Sequence, residues 1–270
     1  MSDCNHNCSS CSQNCSSRTT KSLLVPTNKI NHIKKIYAIH SGKGGVGKSF
    51  VTCMLAQTFT KKGFKVGILD ADITGPSVPT AFGIKEPLAG TDELIYPAES
   101  KNGVKIVSIN LMLDDPTQPV AWRGPVLGNA IKQFYSDVKW EELDYLFVDM
   151  PPGTGDVALT VFQSLPLDGV IIVTTPQDLV SMIVGKAVNF AKLLKTPVVG
   201  LIENMAYMKC PCCNNPLYPF GPSKLEDVSH EYNILPLASL PIEPEINKLI
   251  DEGKIEDIDY PYLEQMVDKL

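Results

Sequence analysis

Apolar residues in this chain fall into short blocks separated by stretches of helical periodicity. Ile36-Tyr37-Ala38-Ile39 and Gly169-Val170-Ile171-Ile172-Val173 are typical: β-branched, apolar on both alternating faces, and too short for a helix. The same signature marks 36–41, 66–71, 104–109, 145–150, 169–175, 198–203 and 235–240 as strands. Between them, Val51, Met54, Leu55, Thr58 and Phe59 recur at helical spacing, and Gly63 stands where that helix should stop. Further helices are predicted over 126–138 and 178–195. Strands apolar on both faces, alternating with helices, predict an α/β fold: a mostly parallel, doubly wound sheet of about seven to eight strands. In such sheets ligands bind beyond the carboxyl ends of the strands.

Residues 1–30 break the pattern. Ser, Asn, Cys and Thr dominate up to residue 22, with no apolar periodicity. The expected organisation is a Cys-rich extension over 1–30, with metal binding as its expected role, followed by one domain over 31–270. A formal net charge of −6 gives no global basic field for nucleic acid. The longest apolar runs are strand-sized, far short of a membrane span, and the N-terminus lacks the apolar stretch of a signal peptide. The expectation is a soluble, cytoplasmic protein with neither nucleic acid nor membrane as partner.

The strand at 36–41 runs into Gly42-Lys43-Gly44-Gly45-Val46-Gly47-Lys48-Ser49, which satisfies G-x-x-x-x-G-K-[ST] through Gly42, Gly47, Lys48 and Ser49. Glycines at these places let successive N–H groups curl around a phosphate at a helix N-terminus. Lys48 is expected on the β- and γ-phosphates, and the Ser49 hydroxyl on Mg²⁺. Two carboxylates suit the same chemistry. Asp149 closes an apolar run and opens Asp149-Met150-Pro151-Pro152-Gly153-Thr154-Gly155-Asp156; a carboxylate at such a strand tip can hold Mg²⁺ through its water shell. Gly153 and Gly155 would let the following loop change shape with the γ-phosphate. Asp72 ends the second strand. Asp70 and Asp156 are equally well read as turn and helix caps.

Eight cysteines are present, seven of them in two tight clusters. Without a secretion signal, clustering argues for metal over disulfides. Cys4, Cys8, Cys11 and Cys15 place four thiolates within twelve residues, with His6 as a spare ligand; iron–sulfur and zinc both remain open. Cys210 and Cys213 form a C-x-x-C pair, and Cys212 is additional. Cys53 stands alone and is read as a small buried residue.

These motifs together resemble the Mrp/ApbC-type iron–sulfur cluster carriers, a branch of the MinD/nitrogenase iron protein group of ATPases. The extra Lys43 matches that group's deviant Walker loop. Leu69-Asp70-Ala71-Asp72-Ile73-Thr74-Gly75-Pro76-Ser77, Trp122-Arg123-Gly124-Pro125, the segment 149–156, Thr175-Pro176-Gln177-Asp178 and Glu203-Asn204-Met205 match the carriers. The resemblance spans roughly 33–265. It implies an ATP hydrolase of slow turnover, in which Lys43 reaches the partner's nucleotide across a homodimer, Asp72 orients the attacking water and Asp149 serves Mg²⁺. Asn204 would read the adenine edge, and the loop Leu240 to Pro244, with Pro241, would border the base. Cys210 and Cys213 occupy the carriers' C-x-x-C position. Two thiolates cannot complete a four-cysteine shell, so a symmetric dimer would bridge one labile 4Fe-4S cluster for transfer to apo iron–sulfur proteins. Trp122 and Arg123 carry no derivable role, and a buried tryptophan beside a structural arginine is one reading. The alternatives are a MinD-like partitioning ATPase and a nucleotide-dependent zinc-binding regulator.

Overall fold

In the computed structural model, residues 22–72, 77–113, 122, 124–177 and 182–270 are described. The strands are β1 (His32–His40), β2 (Val66–Asp70), β3 (Ala98–Glu99), β4 (Lys105–Ser108), β5 (Glu142–Asp149), β6 (Gly169–Thr174), β7 (Val198–Lys209), β8 (Pro216–Leu217) and β9 (Leu235–Pro241). They form one nine-stranded sheet in the order β3-β4-β2-β5-β1-β6-β7-β8, with β9 paired to β7. Only β3–β4 and β7–β8 are antiparallel. All seven expected strands are present. The two additional ones span two residues each, too short to leave a periodic signal.

The helices are α1 (Lys48–Lys61), α2 (Ser77–Ala81), α3 (Gly124–Ser136), α4 (Asp156–Ser164), α5 (Met182–Leu193), α6 (Leu225–Tyr232) and α7 (Pro244–Asp251). The first four residues of the helix expected over 178–195 lie outside the described residues. The period-two geometry of β5 explains why both faces need cover. Phe147 joins Phe59 and Ile68 in the core under α1, while Leu146 and Val148 face Ile131, Phe134 and Trp140 under α3 and α4.

Helix α1 has almost no polar face: Val51, Met54, Leu55 and Phe59 are fully buried, and Thr58 nearly so. Its outer side is covered by the C-terminal segment. Gln57 Nε2 donates to the carbonyls of Ile255, Glu256 and Ile258 at 3.1, 3.2 and 2.8 Å. Beyond them, Leu263 and Met266 enter the core with no exposed area, and Tyr37 donates its hydroxyl to Leu270 O at 3.1 Å. The other end of the chain also contributes. Residues 25–31 run along the domain, with Val25 N donating to Ser164 O at 2.8 Å and Asn31 Nδ2 to Val138 O at 2.8 Å. Among the described residues, no helix is long and apolar enough to cross a membrane.

Candidate nucleotide site and cysteine hairpin

β1 and α1 are joined by the glycine-rich loop, so the loop's N–H groups and the start of α1 converge beyond the carboxyl edge of the sheet. Gly45 and Gly47 hold φ of 79° and 80°, a left-handed conformation that a side chain resists. Gly42 is required for space: a Cβ there would lie 2.6 Å from both Cγ2 and O of Ile183 on α5. Gly42→Ala should therefore displace the loop against α5 and weaken ADP binding about ten-fold, by the usual cost of overpacking. Calorimetric titration with ADP checks this, and unchanged affinity would show that the contact yields freely.

The charged groups meet behind the loop. Lys48, on the first turn of α1, has its Nζ 3.2 Å from Asp149 Oδ1 and 3.4 Å from Asp72 Oδ2. Burial alone would lower its pKa, but the Asp149 and Asp72 carboxylates outweigh burial and raise it. Thr52, one turn further on the same face, donates to Asp149 Oδ1 at 2.9 Å. The sequence reading missed Thr52, although its i+4 spacing from Lys48 was the available signal. Asp149 is fully buried, and its Oδ2 has no hydrogen-bond partner among the described residues.

Asp70 is the cap that one reading of the sequence allowed. Its carboxylate accepts from Ser108 Oγ at 2.8 Å and from Asp72 N at 3.0 Å, shaping the turn that presents Asp72. It lies in register with Asp149 across β2 and β5. Burial and then the Asp149 charge push the Asp70 pKa well above its ordinary 3.8. A carboxyl raised on folding costs stability as pH climbs from its unfolded value through its folded one. Asp70→Asn should therefore flatten the fall in unfolding temperature over that range, with ATP affinity retained. Thermal unfolding at a series of pH values reads this out, and an unchanged profile would count against the assignment. His40 is also fully buried, between the rings of Phe162 and Phe190 at 5.8 and 6.0 Å. Burial and the nearby Lys48 charge bring its pKa down to about 4, so the imidazole is neutral at physiological pH.

A cavity of about 400 Å³ opens over this cluster, lined by Gly44 to Ser49, Asp72 and Pro152. The loop after β5 rests on its rim: Gly153 N donates to Ser41 O at 2.9 Å, and Gly153 holds φ of 78°. Lys43 is exposed, and its carbonyl accepts from Ser41 Oγ at 2.9 Å. A second cavity of about 360 Å³ shares Gly47, Phe50 and Asn247 with the first. Asn204, Met205 and Pro241 line it together with Phe220. The structure thus brings Asn204 and Pro241 to one place, and the Asn204 amide is bonded to the protein's own backbone. Its Nδ2 donates to Val46 O at 2.9 Å, bracing the phosphate loop from behind. Met205 follows with φ of 57°, an uncommon conformation for a side-chain-bearing residue.

From there β7 runs on to the cysteines. Met208 and Lys209 pair with Leu217 and Pro216 of β8, and the tip is closed by Cys210 N to Asn215 O and Asn214 N to Cys210 O, both 2.9 Å. The Cys210 thiol accepts the backbone N–H groups of Cys212 and Cys213, which lower its pKa and favour the thiolate. Cys212 and Cys213 are exposed. Among the described residues, no three Cys, His, Asp or Glu side chains converge on a metal position. Cys53 is buried beneath the loop, its thiol pushed well up by burial, as a core residue should be. Trp122 departs from the buried reading at 39 % exposed; the fully buried indole is Trp140, which donates to Phe134 O. Cys4, Cys8, Cys11, Cys15, His6, residues 73–76, Arg123 and Asp178 lie outside the described residues.

Residues 32–268 match the family described as ParA: NUBPL iron-transfer P-loop NTPase. The chain belongs to this family. The iron-sulfur cluster carrier protein of Clostridium perfringens is 45 % identical over 259 residues, 93 % of this NTPase and 90 % of the relative. That of Aquifex aeolicus is 44 % identical over 244 residues, covering 90 % and 67 %. Among solved structures, the nucleotide-binding protein of Archaeoglobus fulgidus in complex with ADP, in which cobalt was found, superposes with a TM-score of 0.78. It shares 42 % identity over 86 % of this NTPase and 91 % of the other chain. The cell division ATPase MinD of Pyrococcus furiosus reaches 0.62 at 20 % identity, covering 87 % and 97 %; this likeness establishes the fold alone.

Proposed function

We propose that this chain is an ATP-hydrolysing carrier that holds a labile 4Fe-4S cluster on the cysteine hairpin and delivers it to apo iron–sulfur proteins in the cytoplasm. The observation that carries the reading is one strand: β7 braces the phosphate loop through Asn204 and ends at Lys209, directly before Cys210. The strand that braces the phosphate loop thereby leads straight into the cysteine hairpin.

The geometry supports the hydrolytic roles in this proposal. The loop N–H groups and Lys48 neutralise the phosphates, and Asp72, at the open side of Lys48, orients the water. Lys43 of a second subunit supplies the remaining positive charge. The unpartnered Oδ2 of the buried Asp149 and the hydroxyl of Ser49, which lines the cavity, are hard oxygen donors that suit Mg²⁺. When bound, that ion neutralises charge on the transferring phosphoryl group. The cluster is cargo. Cys210 and Cys213 from each of two identical subunits complete four thiolate ligands, since an isologous interface brings like loops together.

The experiment is anaerobic reconstitution of the full chain with iron and sulfide, followed by mixing with an apo 4Fe-4S enzyme. Visible cluster absorbance and recovery of the recipient's activity are expected; a colourless zinc protein would overturn the reading. A partitioning role at a membrane has less support, because Leu263 and Met266 of the C-terminal segment are held in the core.

The cysteines at 4, 8, 11 and 15 are assigned a separate iron–sulfur or zinc centre. Deleting residues 1–20 should leave a folded dimeric ATPase with lower metal content, measurable by iron and zinc analysis. Loss of the Cys210/Cys213 centre in that truncation would refute the independence of the two sites.

A further inference from the structure

The cavity that Asn204 and Pro241 line has a wall supplied by the cysteine hairpin itself. After β8, Tyr218-Pro219-Phe220-Gly221 makes a tight turn closed by Gly221 N to Tyr218 O at 3.1 Å, with Gly221 at φ of 89°. Proline at the second position and glycine at the fourth are the residues such a turn favours. The turn places Phe220 in the lining of the cavity, and the residue remains 37 % exposed. The chain then returns to the sheet at Glu203, where burial raises the carboxyl's pKa and Ser223 and the Lys224 N–H oppose the rise. Glu203 directly precedes Asn204, which holds Val46 of the phosphate loop.

A partly exposed aromatic residue that lines one cavity with Pro241 and Ile242 is suited to a flat aromatic guest. The slot shares Gly47 with the phosphate cavity, so a nucleotide with its phosphates on the loop carries its base into it. We infer that Phe220 is a stacking surface for the nucleobase, and that base binding thereby orders the arm returning from Cys213. This rests on the nucleotide reading given above and adds a residue and a route to it. The route bypasses the loop after Asp149: base, Phe220, β8, cysteines. Because coupling between binding sites is reciprocal, a cluster-loaded hairpin should in turn hold the nucleotide more tightly.

The test compares ADP with pyrophosphate, which carries the phosphates without the base, on the full-length chain with Mg²⁺. Stacking of a base on an aromatic side chain is strong enough that Phe220→Ala should lose about ten-fold in ADP affinity. Pyrophosphate affinity should not change, and Phe220→Trp should retain ADP binding. Site-resolved alkylation of Cys213 should be slowed by ADP in the wild type and in Phe220→Trp, but not in Phe220→Ala. Wild-type ADP affinity in Phe220→Ala would overturn the inference and leave the carrier function standing. Equal loss of ADP and pyrophosphate would also overturn it, as a purely structural effect. If the wild type binds ADP no more tightly than pyrophosphate, the base assignment of the whole cavity fails, Asn204 and Pro241 included.

Discussion

Lys48→Ala should bind ATP at least about thirty-fold more weakly than the wild type, because a buried, charge-assisted contact to the phosphates is lost. The same substitution should destabilise the protein without nucleotide. Asp149 is fully buried beside the equally enclosed Asp70, and the Lys48 ammonium is the positive charge bonded to Asp149. Removing one partner from such a buried pair costs about 3–5 kcal/mol. Asp72→Asn separates binding from chemistry. It keeps the shape and the backbone bond to Asp70, so ATP should still bind, while turnover falls at least roughly ten-fold, as for loss of a positioned base. Equilibrium binding, denaturant unfolding and steady-state phosphate release measure the three effects. Wild-type turnover in Asp72→Asn would remove that residue from the mechanism.

The second large effect concerns the cargo. Cys210→Ala and Cys213→Ala should each abolish the visible absorbance of the reconstituted cluster and the cluster-dependent dimer, in protein lacking residues 1–20. Cys212→Ala should retain both. The C-x-x-C spacing of Cys210 and Cys213 is the reason for expecting this division, since the hairpin exposes Cys212 as well. The Cys210 sulfur sits where the N–H groups of Cys212 and Cys213 stabilise a thiolate, and Cys213 lies exposed at the same tip. Two anchors per subunit at an exposed position would leave a bridging cluster easier to release than four ligands on one chain. Size-exclusion chromatography with iron and sulfide analysis decides the matter. Full loading in Cys213→Ala, or a loaded monomer, would refute bridging.

Much of this molecule is legible in the sequence. Seven strands, the turn at Gly63, the phosphate loop and the aspartates at strand ends all follow from short-range rules: apolar runs, glycine positions and carboxylates beside a G-x-x-x-x-G-K-[ST] motif. The indole environments did not follow, because Trp122 and Trp140 look alike until packing buries one and exposes the other. The C-terminal segment was equally opaque. Its half-amphipathic, acidic pattern conceals that Leu263 and Met266 complete the core around α1.

What the chain determines by itself is the local chemistry, since a loop that binds phosphate or a pair of cysteines is specified by neighbouring residues. What only the tertiary structure decides is how those pieces touch. Asn204 meets Val46 across a separation of 158 residues, Thr52 meets Asp149 across 97, and Phe220 shares a cavity with Gly47. Parallel strand order, which no local pattern encodes, sets these meetings, and they bring the glycine-rich loop against β7, the strand that leads into Cys210.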